Sequence, residues 1–169
     1  MRYSCDMKNH RVPLAKEIEH VKAYVSIINM RFDDSITLEC CVEAPLLQVS
    51  ILKLTLQPLV ENAWSHGILP KDGHRGIIRI DAEVREEALI VTVTDDGVGI
   101  TPEKSRELNA QLSEVNYEAA DSEKGSGVAL KNVNNRIKLS DGPEYGLTLF
   151  PAEGGGCRVV MKVKRKQNE

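Results

Sequence analysis

The chain lacks long hydrophobic runs and has no excess of basic charge. Its longest apolar stretches fall far short of the roughly 20 residues that span a bilayer. Its 169 residues carry a net charge of −3 at pH 7, whereas a general nucleic-acid binder presents a basic surface. We therefore expect neither direct membrane contact nor a nucleic-acid partner for this stretch of chain.

Cysteine is also scarce, and its spacing argues against the usual metal frameworks. The four cysteines are Cys5, Cys40, Cys41 and Cys157, and none of them forms a C-x-x-C pair. Cys40 and Cys41 are adjacent, so on a strand their side chains would point to opposite faces. We expect no metal site or disulfide framework, and we interpret the cysteines as reduced thiols in a cytoplasmic domain.

What the chain does have is an ordinary globular composition with clear patterning. Apolar residues make up 41% and charged residues 28% of a length that suits one compact domain. From Leu14 onwards, apolar residues recur at spacings of three and four, which predicts an amphipathic helix to about residue 32. Further helices are predicted over 47–66, 102–113 and 127–139. Pro58 lies inside the second of these, where it should remove one hydrogen bond and kink the helix.

Alternating and β-branched segments between the helices predict five strands. They cover residues 36–43, 76–84, 88–96, 145–150 and 157–164. The order helix, strand, helix, two strands, polar segment, helix, two strands favours an α+β fold. We expect a two-layer α/β sandwich in which helices cover one face of a mixed, mostly antiparallel sheet.

The segment LQPLVENAWSHGI, residues 56–68, combines an apolar helix stripe with three polar residues. Glu61, Asn62 and His66 would lie close to one side of the helix. An Asn carbonyl oxygen suits Mg²⁺, and a carboxylate beside it can hold a metal-bound water or accept a proton. An imidazole can donate a hydrogen bond to a phosphate oxygen. The alternative interpretation is a partly exposed helix face with three polar residues.

A second motif, TDDGVGI at residues 94–100, directly follows a predicted strand. Its Asp-x-Gly-x-Gly pattern predicts a turn that brings backbone close to a ligand, because glycine has no Cβ and accepts positive φ. An Asp at such a strand end can accept a hydrogen bond from the amino group of adenine. A glycine-rich connection with a helix-capping Asp is the alternative.

The third motif, GSGVALKNV at residues 125–133, opens a predicted helix with two glycines. Such a start turns free N–H groups and the positive end of the helix dipole towards a phosphate. The segment is not a Walker A loop, because no Gly-Lys-Ser/Thr follows. It is not the Rossmann fingerprint either, since Leu130 stands where that motif has its third glycine. An ordinary helix start is the alternative.

Taken together, these segments resemble the motifs of one ATPase superfamily. A Mg²⁺-type helix, an adenine-type Asp turn, a polar segment and a phosphate-type helix start follow one another in that order. LQPLVENAWSHGI resembles the N-box of the GHKL (Bergerat-type) ATPases, DDGVGI their first glycine box and GSGVALKNVNNRI their second. Within that superfamily, the chain resembles the catalytic domain of sensor histidine kinases of the LytS/YesM type.

The resemblance extends to the front of the chain. RYS at 2–4 and the segment 12–32 are similar to the family's connection between its phosphoacceptor helices and its ATPase domain. This implies a linker and N-terminal helix over 1–35 and a histidine-kinase-like ATP-binding catalytic domain over 36–169. The family's acceptor stretch is not recognisable, so the chain is expected to be a fragment that begins after the phosphoacceptor and dimerisation helices.

The resemblance implies a role for each motif residue. Asn62 corresponds to the Mg²⁺ ligand, Glu61 to the acid beside it and His66 to a position near the phosphates. Asp95, rather than Asp96, corresponds to the adenine-binding Asp. The other cofactor-binding positions implied are Gly97, Gly99, Gly125, Gly127 and Asn132.

Two positions depart from the family pattern. Ala129 stands where the family usually has a glycine, and its methyl group would either narrow the approach to the nucleotide or simply pack. Ser65 replaces a frequent lysine that would add positive charge beside the phosphates.

Residues 101–124 are expected to form a lid over the nucleotide. We expect nucleotide binding without strong turnover by the chain alone.

The activity implied by the resemblance is that of an ATP-dependent protein histidine kinase. With ATP and Mg²⁺, the domain would transfer the γ-phosphoryl group to a histidine outside this chain, because His10 is not followed by the acid expected of an acceptor. The implied partners are the kinase's own phosphoacceptor and dimerisation helices and a response regulator. The implied location is the cytoplasmic part of a membrane-anchored bacterial sensor kinase.

Two other functions remain open. The chain could be a self-sufficient GHKL ATPase, or a non-catalytic domain that signals by binding a nucleotide or a partner. The self-sufficient branches place an activating Glu one turn before the Asn, and Pro58 occupies that place here.

Trp64 is expected in the core, and Arg136 is expected either near the phosphates or on a solvated helix face.

Overall fold

The computed structural model describes residues 10–114 and 127–166, which contain a five-stranded sheet and a separate two-stranded one. Within these residues the helices are Leu14–Arg31 (α1), Leu56–Asn62 (α2), Pro102–Ser113 (α3) and Val128–Asp141 (α4). The strands are Arg11–Pro13 (β1), Ile36–Cys41 (β2), Ser50–Leu52 (β3), Gly76–Arg85 (β4), Ala88–Asp95 (β5), Gly146–Pro151 (β6) and Cys157–Lys164 (β7).

The main sheet has the strand order β2-β4-β5-β7-β6. β2 pairs with β4 in parallel, and the other three pairings are antiparallel. The predicted α+β class with a mixed, mostly antiparallel sheet is therefore confirmed. β5 lies at the centre of the sheet, so its last residue, Asp95, is held by neighbours on both sides.

Alternation along the strands places one face of the sheet under the helices. Buried residues of β4, β5 and β7 alternate with half-buried or exposed ones, as expected for a sheet covered on one side. The covered face meets the apolar stripe of α1, which begins at Leu14 as predicted. Trp64 belongs to this core, where its ring lies edge-on to Phe32 with 5.0 Å between the ring centroids.

The predicted helix over 47–66 was wrong in its first half. Residues Ala44–Gln48 form a short 3-10 helix, and β3 then pairs antiparallel with β1, so that Val12 lies opposite Ile51. α2 begins only at Leu56. Pro58 therefore lies in the first turn, where a backbone N–H has no partner within the helix, and the proline removes no hydrogen bond.

A buried carboxylate from α1 fixes the start of α2. Glu17 is 1% exposed and accepts hydrogen bonds from the backbone N–H groups of Leu54, Thr55 and Leu56, at 2.9–3.1 Å. These are N–H groups that the helix itself leaves unpaired. The Glu17 side chain therefore anchors the helix that carries the first motif.

Arg136 on α4 holds the same turn from the other side. Its guanidinium donates to the carbonyl oxygens of Leu54 and Lys53, at 3.2 and 2.6 Å. Burial lowers the pKa of Arg136, and the charge of Glu17 opposes that shift. Both expectations for Arg136 were wrong, because its side chain contacts backbone in place of a phosphate or bulk solvent.

A helix that crosses a membrane must be both long and apolar. No helix within residues 10–114 and 127–166 combines the length and the apolar character required to cross a membrane.

Candidate functional site

The three motif segments border one cavity of about 380 Å³ between the sheet and the helices. The predicted site residues that line it come from all three segments: Asn62, His66, Asp95, Gly99 and Gly127. The other lining residues are Gly67, Ile100, Lys104, Leu108, Gln111, Leu112, Leu130, Lys131, Leu149 and Cys157. Segments separated by up to 65 positions in the chain thus meet at a single concave surface.

Asp95 contributes a buried carboxylate to this cavity. It is the last residue of β5, is 4% exposed and lies opposite Cys157 of β7. The backbone N–H of Gly97 donates to its Oδ1 at 2.8 Å. Burial raises the pKa of Asp95 to about 6, although hydrogen bonds from the backbone N–H groups of Gly97 and Cys157 oppose the shift. The carboxylate is therefore ionised at neutral pH and available as an acceptor.

Two glycines make room for this carboxylate. A Cβ on Gly67 would lie 2.6 Å from Oδ1 of Asp95, and a Cβ on Gly97 would lie 2.2 Å from the carbonyl of Gly67. The backbone N–H of Val98 donates to the carbonyl of Gly67 at 2.9 Å, which joins the second motif to the first. Gly67 was missed as a site residue, although a glycine at the end of an otherwise apolar helix is a signal of close approach.

Asp96 has a different role from its neighbour. Its Oδ1 accepts from the backbone N–H of Ile77 at 2.8 Å, and its carbonyl accepts from Lys71 Nζ at 3.1 Å. The side chain is exposed and does not line the cavity. The structure thus separates a structural Asp96 from an Asp95 that lines the cavity, and the adenine-binding role of Asp95 stays a prediction.

Asn62 and His66 reach the cavity from an irregular helical turn. α2 continues beyond Asn62 as a π-helical turn, Ala63–Ile68, in which the N–H of Leu69 donates to the carbonyl of Trp64 at 2.8 Å. Such turns occur mostly as single insertions and often at functional sites. Asn62 is half-buried and His66 is exposed. Within the described part of the chain, the Asn62 amide makes no hydrogen bond, so its oxygen is available to a ligand.

Several predicted site residues do not line the cavity. Glu61 accepts a hydrogen bond from Gln57 Nε2 at 3.0 Å, and its charge adds to the effect of burial in raising the pKa of Tyr24. Gly97 packs beneath the site, and Asn132 is not among the lining residues. Gly125 lies outside the described residues, and so does the part of the predicted lid from 115 to 124. The roles of these residues stay predictions.

The predicted lid begins as a wall of the cavity. Helix α3 lies within the predicted lid. Its side chains make hydrogen bonds to the backbone of edge strand β6, in the place where a neighbouring strand would otherwise bind. Ser105 Oγ and Asn109 Nδ2 donate to the carbonyl of Leu149 at 2.7 and 2.9 Å, and the Leu149 N–H donates to Asn109 Oδ1 at 2.8 Å. Lys104 and Leu108 of this helix line the cavity. No periodic pattern in the sequence signals such a contact.

Asn134 joins the remaining walls. It is 1% exposed, donates to the carbonyl of Leu112 at 2.6 Å and accepts from the N–H of Leu147 at 2.9 Å. α3, α4 and β6 are therefore linked by a single buried amide. Both positions that depart from the family pattern, Ala129 and Ser65, are exposed and do not line the cavity.

Family comparisons agree with this arrangement. The family model described as "Histidine kinase-, DNA gyrase B-, and HSP90-like ATPase" matches residues 48–167, which is more than half of the chain. A second model, described as "Histidine kinase", matches residues 1–36.

Two relatives are named as a sensor protein and a sensor protein kinase. The chain is 36% identical to the sensor protein LytS of Oceanobacillus iheyensis over 126 residues, which is 75% of this chain and 20% of that protein. It is 29% identical to the sensor protein kinase HptS of Staphylococcus aureus over 163 residues, 96% of this chain and 30% of that protein. The chain thus spans only a fifth to a third of the length of these relatives.

Solved structures of histidine kinase domains share the fold. The catalytic domain of histidine kinase ThkA superposes with a TM-score of 0.66 at 15% identity, covering 94% of this chain and 98% of that one. The mycobacterial sensor histidine kinase MprB gives a TM-score of 0.59 at 16% identity, with 95% and 99% covered. ThkA in complex with the response regulator protein TrrA gives 0.62 at 16% identity, with 93% and 42% covered.

The sequence resemblance is therefore confirmed at the level of the family and the fold. An ATPase domain of this type implies ATP as the ligand of the chain. On the family model, which covers most of the described residues, the chain belongs to the histidine kinase-, DNA gyrase B- and HSP90-like ATPase family.

Proposed function

We propose that this chain is the ATP-binding catalytic domain of a two-component sensor histidine kinase. It would hold ATP and position the γ-phosphoryl group for transfer to a histidine outside the described residues. The observation that carries this proposal is the shared cavity, since Asp95 and Asn62 line the same space together with Gly127 at the start of α4.

The buried part of the cavity suits adenine. Asp95 offers an ionised acceptor to the exocyclic amino group, and a buried ionic acceptor discriminates strongly because it is costly to leave unpaired. Apolar side chains of the lining, namely Ile100, Leu130 and Leu149, offer contact to the faces of the base. This combination favours a base that carries an exocyclic amino group, as adenine does.

The part lined by Asn62 suits phosphates and a hard cation. The free amide oxygen of Asn62 is a ligand of the type that Mg²⁺ accepts, so the side chain fits this cation. When bound, Mg²⁺ neutralises charge on the phosphate oxygens. His66 would donate a hydrogen bond to a phosphate oxygen, and the backbone at Gly127 would approach the phosphates closely because it carries no side chain.

Phosphoryl transfer needs little from the protein beyond positioning and charge stabilisation. The residues of this chain hold the nucleotide in place, and α3 helps to exclude water. The attacking imidazole would come from the phosphoacceptor helices of the whole kinase, and the next acceptor would be a response regulator. A histidine kinase bound to its response regulator has the same fold, which supports this choice of partner. The domain would work on the cytoplasmic side of a membrane-anchored sensor.

A labelled-ATP assay tests the proposal. The chain is mixed with the phosphoacceptor domain of the same kinase, Mg²⁺ and ATP labelled at the γ-phosphate, with Asp95→Asn as the inactive control. We expect acid-labile phosphohistidine on the acceptor. Release of free phosphate alone would instead identify a self-sufficient ATPase. ATP binding with neither product would identify a non-catalytic binding domain.

A further inference from the structure

Two lysines line the cavity, and their surroundings differ. Lys104 on α3 is exposed, and its Nζ lies 3.4 Å from Oε2 of Glu107 on the same helix. Lys131 on α4 is half-buried, and its side chain makes no ion pair or hydrogen bond with any described residue. One cavity-facing positive charge is thus already paired with an acid, whereas the other has no such partner in the described part of the chain.

The position of Lys131 in α4 brings it to the first turn of that helix. Its backbone N–H donates to the carbonyl of Gly127 at 2.9 Å, so the two residues are one turn apart. Helical side chains lean towards the N-terminus of their helix, which carries the lysine stem back over the turn at Gly127. Gly127 also lines the cavity. The ammonium group of Lys131 and the backbone of Gly127, which a ligand can approach closely, therefore border the same part of the cavity.

The described lining of the cavity carries charges of both signs, which suits a ligand that has both hydrogen-bond donors and negative charge. Asp95 is a buried carboxylate, which repels phosphate and suits a base that donates hydrogen bonds. Lys131 supplies the opposite charge in the same cavity.

We propose that Lys131 is a specificity-determining residue that binds the terminal phosphate oxygens of ATP. The inference rests on the proposed function and names the group that selects a triphosphate over shorter nucleotides. An ammonium ion that binds phosphate oxygen contributes a charge-assisted hydrogen bond, which is about twice as strong as a neutral one.

Calorimetric titration of the chain with ATP, ADP and adenosine tests this role. We expect Lys131→Met to weaken ATP binding about tenfold or more. ADP binding should be weakened by a smaller factor, and adenosine binding by less than about twofold. Lys131→Arg keeps the charge and should recover most of the ATP affinity. Lys104→Met is the matched control, because it removes the same charge from the same cavity at a lysine that already has an acidic partner.

The outcomes separate the role of Lys131 from the proposed function. If the unmodified chain binds ATP and adenosine but Lys131→Met binds ATP as well as the parent does, the role of Lys131 alone is overturned. The same holds if Lys104→Met and Lys131→Met lose ATP affinity equally, or if adenosine affinity falls with that of ATP. An unmodified chain that binds neither ligand would overturn the proposed function, and this inference with it.

Discussion

The carboxylate of Asp95 can face the cavity only because residue 67 has no side chain, since a Cβ on Gly67 would lie 2.6 Å from Asp95 Oδ1. The end of β5 and the π-helical turn after α2 are packed so closely that a side chain at residue 67 would overlap the carboxylate. This contact joins two of the three motifs. The contact also shields the Asp95 carboxylate from water. Because a charged group is less stable away from water, this carboxylate lowers the stability of the nucleotide-free domain.

That cost gives the first prediction. Asp95 titrates near pH 3.9 in an unfolded chain, whereas burial raises its pKa to about 6 in the folded domain. The folded state therefore binds more protons between these values, and its stability falls as pH rises through that window. Asp95→Asn should stabilise the nucleotide-free domain at pH 7 by up to roughly 3 kcal/mol and should abolish adenine-nucleotide binding.

Chemical unfolding at pH 7 and pH 4 measures this effect. The stabilisation should be present at pH 7 and should have largely disappeared near pH 4, where the carboxyl is protonated in the folded state and about half protonated in the unfolded state. Asp96→Asn is the control, because that side chain is exposed and outside the cavity lining. An Asp95→Asn variant that is less stable at pH 7 would show that the carboxylate is not under strain.

Gly67→Ala is predicted to disturb the site more than the fold. The added methyl group must displace the Asp95 carboxylate, which costs about 1–3 kcal/mol, and the better helix propensity of alanine offsets up to about 1 kcal/mol of that. We expect a loss of adenosine affinity of tenfold or more with a modest drop in the unfolding midpoint. Ser65→Ala, an exposed change in the same turn, should leave both measurements unchanged.

Local patterning was enough to predict most of the fold. The stripe that begins at Leu14 predicted α1, and alternation predicted the hairpin of β4 and β5, because these signals lie within one segment. The pairing of β1 with β3 could not be predicted in the same way. Each strand has three residues, and their partners lie about 40 positions away, so no periodicity marks them.

The candidate site shows the same division. Glycines and charged residues in the motifs pointed to Asp95 and Asn62, because special backbone and polar groups stand out from an apolar pattern. Glu17, Asn109 and Asn134 carry no such mark, since each acts by bonding backbone groups that are distant in the chain. Contacts of this kind depend on the assembled tertiary structure.

Adenosine binding should depend on the charge of Asp95. Protonation removes an acceptor for the amino group of adenine, so affinity should fall as pH decreases through about 6, approaching tenfold per pH unit below that value. Adenosine is the better probe than ATP, because phosphate groups themselves titrate near pH 6. NMR titration between pH 5 and 8 provides the measurement, and an affinity that stays constant over this range would contradict the assigned role of the carboxylate.

Glu17 is predicted to stabilise the domain without touching a ligand. Glu17→Ala would leave three backbone N–H groups at the start of α2 without their acceptor, at a cost of about 2–4 kcal/mol. Arg136 would lose a nearby opposite charge as well. Glu19→Ala removes the same group from the same helix at an exposed position, where it pairs with Lys16. Denaturant unfolding should show a large loss of stability for the first variant and almost none for the second.

Asn109 is predicted to control the stability of the α3 wall. Its amide makes two of the hydrogen bonds that tie α3 to Leu149 of β6, and Leu149 lines the cavity. Asn109→Ala leaves the Leu149 N–H without an acceptor, while the Leu149 carbonyl keeps its bond from Ser105 Oγ. The free energy of local opening of α3 should therefore fall by about 1–3 kcal/mol. Hydrogen exchange in α3 should then be faster, while the amides of β5 keep their protection.

The same change should weaken nucleotide binding several-fold, because a ligand must first close the wall that the variant leaves open. Arg106→Ala is the control, since that side chain is exposed on α3 and pairs with Glu103 on the same helix. If exchange in α3 were unchanged in Asn109→Ala, these hydrogen bonds would not be what holds the helix. If exchange rose while ATP affinity stayed the same, α3 would be a neighbour of the binding site and not part of it.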